Sequence, residues 1–140
     1  MAMAYEDREL TSRIAHYLAF VGQYVQIEQA LLYGSYAYGT PCSRSDIDLV
    51  VLSSDFAQMD RRHCQEQLAI WAWQAGVGDI EALGSTPEEF KAASDLSLLG
   101  EVREKGIVVY DVARPERTPA MVLRERQAEH GEVQDEQLLY

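Results

Sequence analysis

The stretch that most constrains this chain is Asp46-Ile47-Asp48-Leu49-Val50-Val51-Leu52, an apolar, β-branched run headed by two carboxylates. Bounded by Ser43-Arg44-Ser45 on one side and Ser53-Ser54-Asp55 on the other, it reads as a buried strand. Side chains alternate along a strand, so Asp46 and Asp48 share one face. Aspartates are also common where strands meet turns, and the pair alone has that plain explanation. Upstream stands Gly34-Ser35, with ten residues between Ser35 and Asp46. A Gly-Ser turn leaving a strand, here predicted over 27–33, offers free backbone N–H groups and a hydroxyl, a cradle for phosphate oxygens. Two close carboxylates repel unless a cation lies between them, and hard oxygen ligands together with nucleotide phosphates suit Mg2+ or Mn2+.

The rest of the chain supplies helices and further strands. Leu10, Ile14, Tyr17, Leu18 and Val21 fall at helical spacing within 5–21. A second helix is expected over Met59–Ala75, ended by Gly76 and Gly78, and Asp79–Leu83 alternates like a strand. Trp71 and Trp73, two positions apart on a helix, cannot both face inward, so one belongs to the core and the other to the surface. Thr86-Pro87-Glu88-Glu89 has the parts of a capping box and starts a helix through Ala93. Another helix, opened by Ser94 or Asp95 and closed by Lys105-Gly106, leads into a strand over Ile107–Tyr110. Composition changes after Ala113, where RPERTP carries two prolines. Residues 1–113 therefore read as one folded domain, and 114–140 as an extension that is partly disordered or docks on a partner.

Charge narrows the function. Twelve Lys and Arg against 23 Asp and Glu give −11, which provides no long-range field for nucleic acid or anionic lipid. Only Lys91 and Lys105 are lysines, so anion contacts fall to arginine or backbone N–H. Arg44 is placed to meet phosphate from its turn, and equally to face solvent. Cys42 and Cys64 match neither a disulfide framework nor a metal-ligand pair, and His16, His63 and His130 share no metal spacing with them. No run approaches the roughly 18 apolar residues of a membrane span, and the acidic start does not resemble a secretion signal. A cytoplasmic protein is expected.

The segment Gly34-Ser35-Tyr36-Ala37-Tyr38-Gly39 through Asp46-Ile47-Asp48-Leu49-Val50 resembles the signature of the DNA polymerase β-like nucleotidyltransferases, specifically their short members, the minimal nucleotidyltransferase (MNT) domains. The resemblance covers about residues 5–112. It implies an α/β (α+β) fold, a small mixed β-sheet flanked by helices. It also implies two Mg2+ ions, with Mn2+ as a substitute, held by Asp46 and Asp48, and ATP as donor of AMP, its outer phosphates bound by Gly34 and Ser35. A third carboxylate, which would ligate the metal nearer the nucleophile or accept the hydroxyl proton, is expected on a neighbouring strand. Asp79 and Glu81 compete for that place, and Glu81 is preferred for its offset from the capping Thr86, as in similar sequences. Relatives often carry a base before the second glycine, where this chain has Tyr38. Short members of this kind resemble antitoxins that adenylylate a tyrosine of an all-helical HEPN-type toxin, which the resemblance makes the expected partner. Two alternatives stand beside it: a small hydroxylated acceptor such as an aminoglycoside, with a second copy of the chain completing the site, and a non-catalytic module that inhibits by contact.

Overall fold

The computed structural model describes residues 2–38 and 46–126. Helix α1 (Ala2–Val21) leads to strand β1 (Gln29–Tyr33), a one-turn helix α2 (Ser35–Tyr38) and strand β2 (Ile47–Leu52). A 3-10 turn (Ser54–Gln58) and helix α3 (Arg61–Gln74) carry the chain to strand β3 (Ile80–Ser85). Helices α4 (Pro87–Ala92) and α5 (Leu98–Lys105) precede strand β4 (Ile107–Asp111), and a last helix, α6, spans 119–126. The strands form one mixed sheet in the order β3-β2-β1-β4. β1 runs antiparallel to β2 and β4, whereas β3, delivered by α3, runs parallel to β2. This is the fold the resemblance implies.

Strand periodicity sorts the side chains into two layers. Ile47, Leu49 and Val51 of β2, with Ala30 and Leu32 of β1 and Ile80 and Ala82 of β3, bury against α1 and α3. Tyr17 ties these two helices together, its hydroxyl donating to Leu68 O (2.9 Å). On the other face Leu31, Val50 and Leu52 pack with Phe90 and Val102, so α4 and α5 cover only part of that side. Asp48 and Glu81 belong to this second face, at the end that the small cluster leaves open. Trp71 is buried and Trp73 is 78% exposed, the division that their spacing requires.

Several boundaries differ from expectation. Asp60, not Met59, caps α3, accepting from the His63 N–H (3.0 Å). The fifth helix opens at Ser97 rather than at Ser94 or Asp95. The reason is a tight turn in which Ser94 O accepts both the N–H and the hydroxyl of Ser97 (2.9 and 2.6 Å) and Gly100 packs against that same carbonyl. The capping box at Thr86 and Glu89 forms as its sequence dictates. Val122 and Leu123 of α6 pack on the main core, so part of the segment after Ala113 rests on the chain's own body; residues 127–140, with His130, lie outside the described residues. Among the described residues no helix is long and apolar enough to cross a membrane.

The outer edge of β3 is closed by a side chain. Gln65 of α3 donates through Nε2 to Ala82 O (3.1 Å) and accepts at Oε1 from the Gly84 N–H (3.0 Å), standing in for the peptide group of a further strand. A Cβ at Gly84 would crowd Leu68 Cδ1 (3.0 Å) and Phe56 Cε2 (3.1 Å), so the glycine lets the helix come this near. Gln65→Ala removes both bonds and reopens the edge. Urea unfolding is expected to show a loss of about 2 kcal/mol, and light scattering an increased tendency to associate.

Candidate active site

Three strands converge on the site. Asp48, the second residue of β2, has Tyr33 of β1 as its antiparallel partner and Glu81 of β3 as its parallel partner. Laterally paired residues share a face, so Tyr33, Asp48 and Glu81 form one row across the sheet. Asp46, exposed and immediately before β2, lies near enough for its charge to act on the Glu81 carboxyl. The electrostatics record this crowding. Burial, then the charge of Asp46, pushes the Asp48 carboxyl above its ordinary range. The charge of Asp46, then burial, then Asp48, does the same to Glu81. Three carboxylates held against their mutual repulsion are an arrangement a cation relieves.

Asp79 has a different environment. It precedes β3 instead of lying in it, so it does not join the face of Glu81 as a continuous strand would have required. Its Oδ1 receives Arg13 Nη1 at 2.7 Å, and its carbonyl accepts from the Ile47 N–H (2.9 Å). Arg13 also bonds Glu9 within α1 (2.9 Å), and its contact with Asp79 holds α1 beside Ile47, whose N–H donates to the Asp79 carbonyl. Sequence reasoning had no signal for Arg13, since its partner lies 66 positions away.

Gly34 is fixed from two directions. Its φ of +76° lies in the left-handed region that favours glycine. A Cβ there would also overlap Asp48 Oδ2 and stand 3.2 Å from Cγ. The glycine is therefore the surface against which the Asp48 carboxylate rests. Ser35, half-buried, opens α2, and the expected turn is thus one residue of left-handed backbone followed by a helical turn closed by the Ala37 N–H on Gly34 O (3.0 Å). Arg44 and Cys42 lie outside the described residues.

Among the described residues no three acidic, imidazole or thiol groups close into a cation cage of their own. The donor set nevertheless suits Mg2+, which keeps several waters and is held by one or two carboxylates together with substrate phosphates. A row of carboxylates beside a left-handed glycine and a serine, on a small mixed sheet, is the equipment of nucleotidyl transfer.

The family model described as polymerase beta, nucleotidyltransferase, matches residues 17–114, and the chain belongs to that family. Among solved structures it is similar to a crystal structure of a toxin–antitoxin with AMP-PNP, at 20% identity and a TM-score of 0.52, over 92% of this chain and 94% of the other. It is also similar to a mutant of the toxin–antitoxin MntA–HpeT, at 19% identity and a TM-score of 0.51 over the same shares. These likenesses carry the fold. No curated protein matches the chain.

Proposed function

We propose that this nucleotidyltransferase moves AMP from ATP to a hydroxyl of a partner protein, a tyrosine of a HEPN-type toxin, and acts as the antitoxin. The observation that carries the chemistry is the cluster of Asp48 and Glu81 on two parallel strands, with Asp46 just before the first of them, beside Gly34. Asp46 and Asp48 would hold Mg2+, whose charge would neutralise the triphosphate and the charge that develops on the α-phosphorus. Ser35 and the Gly34 N–H hold the outer phosphates, and Arg44, the one base in the sequence between Ser35 and Asp46, adds a positive charge. The acceptor oxygen forms a bond to the α-phosphorus as the bond to pyrophosphate breaks, and its proton passes to the Glu81 carboxylate. Glu81 is the outermost of the three strands' contributions to the row, on the edge strand, where an acceptor approaches.

Protein as acceptor is supported by the two structural relatives, both toxin–antitoxin assemblies, one holding an ATP analogue. Charge agrees: −11 opposes pairing with a second copy and favours a basic partner such as an RNA-cleaving enzyme. A buried free thiol at Cys64 suits a reducing cytosol.

The test is incubation with Mg2+, ATP labelled at the α-phosphate and lysate of the source cells. Label on one small protein supports the reading; label on a small metabolite favours the aminoglycoside-type alternative, and inhibition without label the contact-only module. The third carboxylate is separated the same way. Glu81→Gln is expected to slow transfer about a hundredfold or more, while Asp79→Asn, which alters an Arg13 contact, stays within a few-fold of wild type. The reverse ranking would assign the role to Asp79.

A further inference from the structure

Leu96 is 98% exposed, and the turn that displays it is held from all sides. Arg103 of α5 donates through Nη1 to Phe90 O (2.8 Å), Lys91 O (3.1 Å) and Ala93 O (2.9 Å), and through Nη2 to Asp95 (2.6 Å). Ser94 adds its hydroxyl as acceptor for the Leu96 N–H (3.1 Å). An apolar side chain so fully in water gains nothing for the fold, and a turn so well bonded presents it at a fixed place. Rigid, pre-positioned apolar residues are what protein interfaces use as anchors.

Beside it a groove of about 630 Å³ runs between the β3 edge and the α4–α5 pair, floored by Leu83, Gly84 and Ala92 and flanked by Leu98 and Leu99. Leu98 is 47% exposed. The groove is continuous with the catalytic row, because Leu83 lies on the same strand and face as Glu81, two residues along and thus about 7 Å away. An aromatic side chain reaching from the groove spans that distance. Strand addition does not compete here, since Gln65 occupies the β3 edge. The surroundings carry a small acidic excess: around Leu96 and Leu98, Asp95 is paired with Arg103 and Glu101 with Lys105, Glu104 adds a further carboxylate, and in the groove itself Arg61 faces Glu89. The exposed Trp73, by contrast, belongs to α3, on the sheet face turned away from Asp48 and Glu81.

We infer that Leu96, Leu98 and the groove beside β3 form the docking surface for the acceptor protein, which seats a segment with an apolar residue flanked by basic side chains and brings its hydroxyl to Glu81. This deepens the proposed function and rests on its reading that the acceptor is a protein. The charged ring selects the partner and speeds its approach, and the apolar contacts hold it.

The probe is the set of soluble proteins of the source cells, labelled with α-phosphate-labelled ATP by wild type, Leu96→Glu, Leu98→Glu, Leu96→Met and Trp73→Glu, with nucleotide affinity measured in parallel. Leu96→Glu and Leu98→Glu are expected to lower labelling of the acceptor about tenfold or more, through its KM, with nucleotide affinity unchanged. Leu96→Met and Trp73→Glu label as wild type does. Raised salt weakens wild-type labelling because the ring is screened. Undiminished labelling by both glutamate variants, or a loss confined to Trp73→Glu, overturns the docking surface while leaving protein adenylylation in place. Wild type that labels no protein overturns the protein-acceptor reading and the surface with it.

Discussion

Asp48→Asn is expected to lower the rate of AMP transfer about a thousandfold while leaving the protein folded and, without Mg2+, more stable than wild type. The loss follows from the position of Asp48 at the centre of the row, between Tyr33 and Glu81. The stability gain follows from the sign of the shifts. A carboxyl whose folded-state pKa is raised contributes stability below the ordinary carboxylate range, and that contribution is lost as pH rises through the raised value. At neutral pH the ionised cluster thus opposes folding, and the neutral amide removes one of its charges. With allowance for solvent screening the gain is about 0.5 kcal/mol at neutral pH, and it shrinks as the pH is lowered into the carboxylate range. Thermal unfolding with and without Mg2+ checks both halves, because an ion bound only by the native wild type reverses the ranking. A variant that transfers AMP at the wild-type rate would remove Asp48 from the chemistry.

Gly34→Ala carries the second large effect. The substitution forces an L side chain into left-handed backbone at about 1–2 kcal/mol, and its methyl group meets the Asp48 carboxylate. Backbone strain alone would lower stability and leave the rate of the folded fraction intact. Displacement of Asp48 predicts more: transfer falls about a hundredfold at temperatures where circular dichroism shows the variant folded, since a shift near 1 Å at a reacting group costs that much. Gly34→Ser should behave likewise, because the obstacle is Cβ itself. A folded variant with undiminished activity would show that Asp48 has room to move without consequence.

The strands and most helices were legible because their signals are local. β2 announced itself as an apolar β-branched run, and Thr86-Pro87-Glu88-Glu89 carried its own cap. The carboxylates of β2 were equally readable, since alternation along a strand needs no tertiary knowledge. What remained open was decided by distant partners. Nothing near Asp79 says that Arg13 engages it, and nothing in Gly34-Ser35 says that the glycine is pressed by a side chain of the next strand. The late start of α5 has the same origin: Asp95 and Ser94 are good caps locally, but the contact of Gly100 with Ser94 fixes a turn there and moves the cap to Ser97. The exposed Leu96 was invisible for a simpler reason, since a leucine beside a helix start reads as core until the fold shows it facing water.

The parallel pairing of β2 with β3 links catalytic competence to the completeness of folding. β1 and β2 are sequence neighbours and pair antiparallel, so a nascent chain brings Gly34 and Asp48 together early. Glu81 arrives only when the whole α3 crossover has docked and β3 has slid into register against Ile47–Leu52. Long-range parallel pairing of this kind forms slowly. A half-folded chain therefore has two carboxylates beside Gly34 but no third member of the row, and under the proposed function it would bind nucleotide before it could transfer AMP.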